Sequence, residues 1–231
     1  MMFDTHAILQ AGLAGFGFAL VISSIPVGPI NLTILNEGAQ RGFKWGFLIG
    51  LGAATMDCIY CSISFTGFSS FFDHGVVKAT MQMCSFLFLL YLGAKFLMAQ
   101  TVNVPTKLDA TSEKFEHKLE ALFHPHSAYR IGLVRVLGNL GVFLFWIALT
   151  MNLMAHDWVD DTWPAKVACV GGVALGTCLW FLIFSYAVSH SHGKFSVRTL
   201  LGLQHLSGIC LITVAVVDGL HIIWQLARHR I

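Results

Sequence analysis

The sequence predicts an all-α integral membrane protein: six transmembrane helices arranged as two inverted three-helix repeats. Three observations carry that expectation. Of the 231 residues, 56% are hydrophobic and only 11% charged, against about 25% charged in an ordinary soluble domain. Six apolar segments, at residues 7–35, 47–68, 76–98, 131–154, 165–188 and 205–226, are each long enough to cross a bilayer. In each half, a segment with a helix-breaking stretch precedes a glycine-rich one. A single domain over 1–231 accounts for the chain, with repeat one at about 7–99, a cytoplasmic linker at about 100–130 and repeat two at about 131–226.

The first segment is expected to stay in the membrane. Its leading residues hold Asp4 and neither Lys nor Arg, and the apolar run is too long for a signal-peptide core. Within it lies Ser23-Ser24-Ile25-Pro26-Val27-Gly28-Pro29-Ile30-Asn31. A proline lacks an N–H and clashes with the carbonyl four residues back. In one continuous helix, Pro26 frees the carbonyl of Ile22 and Pro29 that of Ile25. Backbone groups freed in lipid cost several kcal/mol unless something satisfies them. Broken backbone therefore belongs where protein buries it or where it lines a polar cavity, and half-helix ends there can hold ions or charged substrates. A plain proline kink is the alternative. A short basic turn, 40–44, leads to the second segment.

The second segment carries Gly46, Gly50, Gly52 and then Asp57, with no Lys or Arg within ten residues of the acid. A charge at this depth is expected to face the bundle interior or water. A carboxyl that takes up and releases a proton or cation suits the position; a structural hydrogen bond to a neighbouring helix is the rival role. Glycines about one turn apart let another helix approach closely. Gly46 and Gly50 can do so within one chain or between two copies, so a homodimer is among the arrangements they allow. The third segment leads into the long polar stretch 100–130. Ser112 can cap a helix there, with Glu113 and Glu116 in its first turn. Phe115, Leu119, Leu122 and Phe123 fall on one face, as in a helix lying on the cytoplasmic leaflet or packed on the protein itself.

The fourth segment has Gly138-Asn139-Leu140-Gly141 where the first has its prolines, and the fifth carries Gly171, Gly172 and Gly176 where the second carries its glycines. Three spans per half make the second half enter from the opposite side, and the interface of such repeats is the usual place for a substrate site. Asn31 and Asn139 then form a symmetric pair beside the two breaks. Their amides both donate and accept, which suits the two ends of an amino acid, although an intramembrane Asn also serves as helix–helix glue. Arg135 is expected to snorkel to the cytoplasmic interface, with contact to an anionic substrate as the alternative. In the sixth segment Asp218 is a second intramembrane carboxylate, three residues from His221. Both coupling and structural roles suit it.

Lys and Arg are distributed unequally. Six spans place Arg41, Lys44, Lys95, Lys107, Lys114, Lys118, Arg130, Arg135, Lys194 and Arg198 on one side, and Lys78, Lys166, Arg228 and Arg230 on the other. The ten-to-four split makes the first side cytoplasmic and both termini external. The basic tail runs against that orientation.

Other chemistries find little purchase. All six cysteines lie in apolar segments, as small buried hydrophobes do. Cys58-Ile59-Tyr60-Cys61 has redox spacing but no strand beside it. His124, His126, His190 and His192 form two pairs that suit a transition metal, with no carboxylate or cysteine close by to complete a ligand set. No Walker A, G-x-S-x-G or H-E-x-x-H sequence occurs, and no basic run with interleaved aromatics. No enzyme activity, cofactor, bound metal or nucleic-acid partner is expected.

Ile25-Pro26-Val27-Gly28-Pro29-Ile30-Asn31-Leu32, followed by Gly38, Arg41-Gly42, Gly46, Gly50 and Asp57, resembles the N-terminal signature of the LysE/RhtB family of amino-acid exporters. Length, hydrophobic profile, the polar loop after span three and Gly171-Gly172 through Trp180-Phe181 match as well. The family's second-half Asn-Pro-Lys reads Asn139-Leu140-Gly141 here, so no role for that lysine carries over, and Thr55-Met56 precede the acid where a glycine is common. The resemblance implies an inner-membrane exporter of amino acids or similar metabolites driven by H+ or Na+. Pro26, Gly28, Pro29, Asn31 and Asn139 would face the substrate, and Asp57 and Asp218 the coupling ion. Related superfamily members move divalent metals or pass electrons through paired cysteines, so a metal exporter and a thiol redox carrier are the alternatives.

Overall fold

The computed structural model describes residues 5–23, 29–68, 75–98, 118, 127–190 and 197–228. They form eight helices, with no strand among the described residues: α1 (Thr5–Ser23), α2 (Pro29–Arg41), α3 (Phe43–Phe68), α4 (Gly75–Leu97), α5 (Ala128–Leu137), α6 (Leu140–Ala155), α7 (Trp163–His190) and α8 (Val197–Arg228). Among them, Phe43–Gly67 and Trp163–His190 are by themselves long and apolar enough to cross a membrane. The α5–α6 pair also qualifies when taken together, although it is bent by 70°. The apolar stretches Thr5–Val21, Phe86–Leu97 and Gly208–Val217 are shorter. The helix expected near 112–123 lies outside the described residues, Lys118 excepted.

Two boundaries differ from the sequence expectation. The first apolar segment ends at 35, but α2 continues to Arg41, where the Glu37 carboxylate meets the guanidinium at 3.0 Å one turn away. The turn expected over 40–44 shrinks to Gly42. Its φ of +86° is one that L side chains avoid, and its N–H bonds the Gly38 carbonyl at 2.9 Å. α8 starts at Val197, upstream of its apolar part. Hydropathy marks what oil covers, whereas a helix continues through polar residues of adequate propensity.

Packing follows the small residues. α1 lies along α7, α3 along both α5 and α7, and α4 along α8. A Cβ on Gly172 would stand 2.0 Å from the Gly12 carbonyl oxygen, and one on Gly132 would stand 1.8 Å from that of Ile49. These contacts exist only because a side chain is missing. Gly46 and Gly50, which sequence left open between internal and intermolecular packing, face Ser185 and Phe181 of α7. α2 packs on α3 and α7, and α6 on α3 and α4. Trp146, Phe65, Phe181 and Leu149 are among the fully enclosed side chains of the core.

The α6–α7 connection folds back onto α1. Gln10 Nε2 donates to the Asp157 carbonyl at 3.3 Å, and the Phe18 and Trp158 rings meet at 5.5 Å. Lys166, expected on the external side, is buried and ion-paired to the exposed Asp161.

Candidate functional site

The site is built from two helix breaks and the helix that passes the second. At the first break, α1 ends at Ser23 and α2 begins at Pro29. Pro26 and Gly28 fall between them, outside the described residues, and the side chain of Pro29 is likewise outside. Proline suits a first helical position, where the absent N–H has no partner to lose. Asn31 is buried, and its Nδ2 donates to the Ser23 carbonyl at 3.0 Å. The amide thus supplies a donor to a carbonyl that the end of α1 leaves without a helical one.

At the second break, only Gly138 and Asn139 separate α5 from α6. Asn139 is the N-cap of α6, its side-chain oxygen accepting from the Val142 N–H at 3.2 Å. The end of α5 is held from outside. Tyr60 of α3 donates its hydroxyl toward the Leu137 carbonyl at 2.9 Å and the Val136 carbonyl at 3.2 Å. Its ring lies 5.1 Å from that of Phe143, on the far side of the bend.

Asp57 stands one turn before Tyr60 on α3 and is 8% exposed. Trp146 Nε1, from α6, donates to its Oδ1 at 2.9 Å. The acid therefore lies in the protein interior, with an indole donor beside it and no lipid-facing surface of consequence. α3 grips α6 through Asp57 and α5 through Tyr60, with the break between the two grips.

Not every candidate residue joins this group. Asp218 is carried by α8, which packs on α4 and lightly on α1, and its side chain lies outside the described ones. Asn31 belongs to the first break. A cavity of about 280 Å³ between α1, α8 and Trp158 is lined by apolar groups such as Leu13, Phe18, Leu211 and Val214, and by none of the candidate residues. Arg135 departs from the snorkelling expectation: its Nη1 donates to Thr33 Oγ1 of α2, a buried hydroxyl.

Tyr60 and Trp146 escaped the sequence reading. Tyr60 had a signal, since it shares a helix face with Asp57 at i+3. Trp146 had none, because its pairing with Asp57 spans 89 residues. Cys58 and Cys61 are free thiols, and the buried Cys61 lies beside Cys169 of α7. Among the described residues no three His, Cys, Asp or Glu side chains gather into a metal-binding group; His124, His126 and His192 lie outside them.

Long apolar helices, a sharply bent helix pair and a buried carboxylate at the bend define an α-helical membrane protein with a polar site inside its bundle. Residues 12–219 match the family model described as "LysE type translocator", and the chain belongs to that family. It is 26% identical over 203 residues, 88% of this chain and 92% of the relative, to a Bacillus subtilis (strain 168) protein described as "Putative amino acid efflux protein YcgF". No solved structure matches the chain. Family and relative together make this protein a membrane transporter of the efflux type and not an enzyme.

Proposed function

We propose that the protein is a secondary-active exporter of amino acids or related small metabolites across the cytoplasmic membrane, coupled to a proton or sodium gradient. One observation carries the reading: the interior carboxyl of Asp57 is bonded to the far arm of a helix break whose near arm is held by Tyr60, one turn along the same helix. An ionisable group at membrane depth marks an ion or substrate path, and the helix that carries this one is attached to both sides of a joint.

In this reading six spans form two inverted halves. Part of the packing supports it. Exchanging α1 with α5, α2 with α6, α3 with α7 and α4 with α8 turns the α1–α7 contact into α5–α3 and α2–α7 into α6–α3, and all four are present. The α2–α3 and α4–α6 contacts have no matching α6–α7 or α2–α8 packing among the described residues. Pro26, Gly28, Pro29 and Asn31 at one break, and Asn139 at the other, face the substrate. Asp57 takes the coupling cation, with Asp218 as a second ion-binding carboxylate. The halves rock about the shared interface.

The test is Asp57→Asn in proteoliposomes loaded with the twenty amino acids under an imposed proton or sodium gradient. Asparagine keeps an acceptor for Trp146, so the fold stays while gradient-driven efflux falls to the leak rate. Undiminished coupled efflux removes Asp57 from the mechanism.

A further inference from the structure

We infer that the crevice between α1 and α8 is a phospholipid site, which takes an acyl chain of a membrane lipid whose headgroup carries an ammonium. The inference needs the protein to lie in a membrane and does not rest on the export reading. α1 packs only lightly on α8. Between them lies the cavity of about 280 Å³, with Leu13, Gly17 and Val21 along one wall, Val214 on the other and Trp158 beside both. An apolar cavity stays dry and takes apolar ligands. This one opens sideways, since Leu13 is 61% exposed and Gly17 is exposed as well. Leu9, Ile209 and Val217 are exposed apolar side chains on the same two helices, and in a membrane protein such a surface meets acyl chains.

Length, floor and mouth each point to that occupant. Leu13, Gly17 and Val21 stand four residues apart on one face of α1. From first to last the helix rises about 12 Å, which suits the depth of one leaflet in a hydrocarbon core about 30 Å thick. Gly17 makes the floor. A Cβ on Gly15 would stand 2.2 Å from the Cys169 carbonyl oxygen, so that glycine serves helix packing, whereas a Cβ on Gly17 meets nothing within 4 Å. Glycine weakens a helix interior, and at 17 no protein neighbour requires it. The mouth is set by the α6–α7 connection, whose Asp157 carbonyl is bonded to Gln10, three residues before Leu13. Trp158 and Trp163 are exposed there, as tryptophans are at headgroup level. The connection, 156–162, carries Asp157, Asp160 and Asp161, all exposed, and neither Lys nor Arg. Asp161 answers Lys166, while Asp157 and Asp160 flank Trp158. Carboxylates at the mouth repel a free fatty acid or an anionic headgroup and attract an ammonium.

The experiment titrates the purified full chain, in detergent, with phosphatidylethanolamine that carries brominated acyl chains, and follows the quenching of tryptophan fluorescence. The wild type should show a saturable component at one lipid per chain, relieved by unlabelled lipid. Trp158→Phe should remove that component. Gly17→Leu fills the crevice from its floor and should weaken binding about 10- to 100-fold, the loss when two or three methylenes of the chain are kept out. Gly171→Leu is the control: a Cβ there also meets nothing within 4 Å, but it lies on α7, outside the crevice, and binding should be unchanged. If Gly17→Leu does not fold, Val214→Phe fills the crevice from the α8 side and must give the same loss. Quenching that never saturates, or that Gly17→Leu and Gly171→Leu alter alike, reports lipid around the whole protein and overturns the site. A saturable component that survives in Trp158→Phe overturns it too. Brominated phosphatidylglycerol or brominated fatty acid bound as tightly as the ethanolamine lipid overturns the choice of headgroup. A Gly17→Leu protein that elutes as a smaller oligomer than the wild type makes the crevice a contact between copies, which also overturns the lipid site.

Discussion

Replacing Tyr60 by Phe tests whether α3 holds the second break. The change deletes one oxygen and leaves the ring against Phe143 at 5.1 Å, so it creates no cavity worth counting. A hydroxyl has one proton to give, and its two short contacts are one shared bond. Val136 loses little, because its carbonyl also accepts from the Asn139 N–H at 2.9 Å. Leu137 is the exposed party: Tyr60 is the donor described for its carbonyl, at 2.9 Å, and the 70° bend takes the next helical N–H groups out of reach. A fully buried carbonyl left without a donor costs about 1–3 kcal/mol, an upper bound for the part-buried Leu137 carbonyl. Side-chain bonds between membrane helices average about 0.6 and reach about 1.7 kcal/mol. The expected loss is therefore about 1–2 kcal/mol, or five- to thirtyfold in the folding equilibrium. Unfolding in mixed micelles of rising SDS content, followed by circular dichroism, measures it. Tyr129→Phe is the control on the same α3–α5 contact, since its bond to Thr55 at 3.0 Å is exposed and worth about 0.5 kcal/mol or less. A Tyr60→Phe loss no larger than the control's refutes the claim that this hydroxyl fastens the break.

Two further outcomes follow from backbone geometry. Gly171 and Gly172 are neighbours with opposite surroundings: a Cβ on the first meets nothing within 4 Å, and on the second it meets the Gly12 oxygen at 2.0 Å. Gly171→Ala should leave stability unchanged or raise it by up to about 1 kcal/mol, whereas Gly172→Ala should lower it by about 1–3 kcal/mol as α1 is pushed off α7; the same micelle titration reads both, and equal effects would contradict the close approach. Gly42→Ala should cost about 1–2 kcal/mol through its φ of +86°, with Gly42→Asn milder, which thermal unfolding of the purified protein would register.

Much of this architecture was legible because lipid narrows the options. A long run of apolar residues with almost no charge reads as a membrane helix, and a break within it must be held by something. The run at 47–68 and the glycines at 171–176 thereby announced α3 and α7, and Gly138-Asn139 announced the bend. Asp57 stood out because nothing near it in sequence neutralises it. What pattern does not encode is the partner. Trp146 reads as one more large apolar residue, and only packing aims its N–H at Asp57. Arg135 was misjudged for a similar reason: its depth is countable from sequence, but the buried hydroxyl that draws it sideways is Thr33, 102 residues away. The end of α2 was misplaced because apolar content stops before the helix does.

The two breaks are fastened differently, and the difference decides what Asp57→Asn should look like. Asn31 closes its own break within eight residues, a local bond that α3 can move past without disturbing. The second break hangs on α3 twice, through Tyr60 to α5 and through Asp57 to α6. A hydrogen bond to an ionised acceptor is about twice as strong as one to a neutral group. On the export reading, loading a cation or proton onto Asp57 weakens the grip on α6 while leaving α5 tied, and the slack falls on Gly138 and Asn139, the two residues between those helices. Asparagine at 57 is a chemical copy of that loaded state: neutral, still an acceptor for Trp146, unable to unload. On the export reading the variant should keep exchange of internal for external substrate, which needs no unloading, at a rate within about threefold of wild type, while losing net efflux driven by the gradient. Counterflow of a labelled amino acid measures the first and gradient-driven release the second. Loss of both together, in protein that elutes and unfolds like the wild type, would mean that Asp57 binds the cargo rather than the ion; loss of neither would leave it a structural acceptor for Trp146.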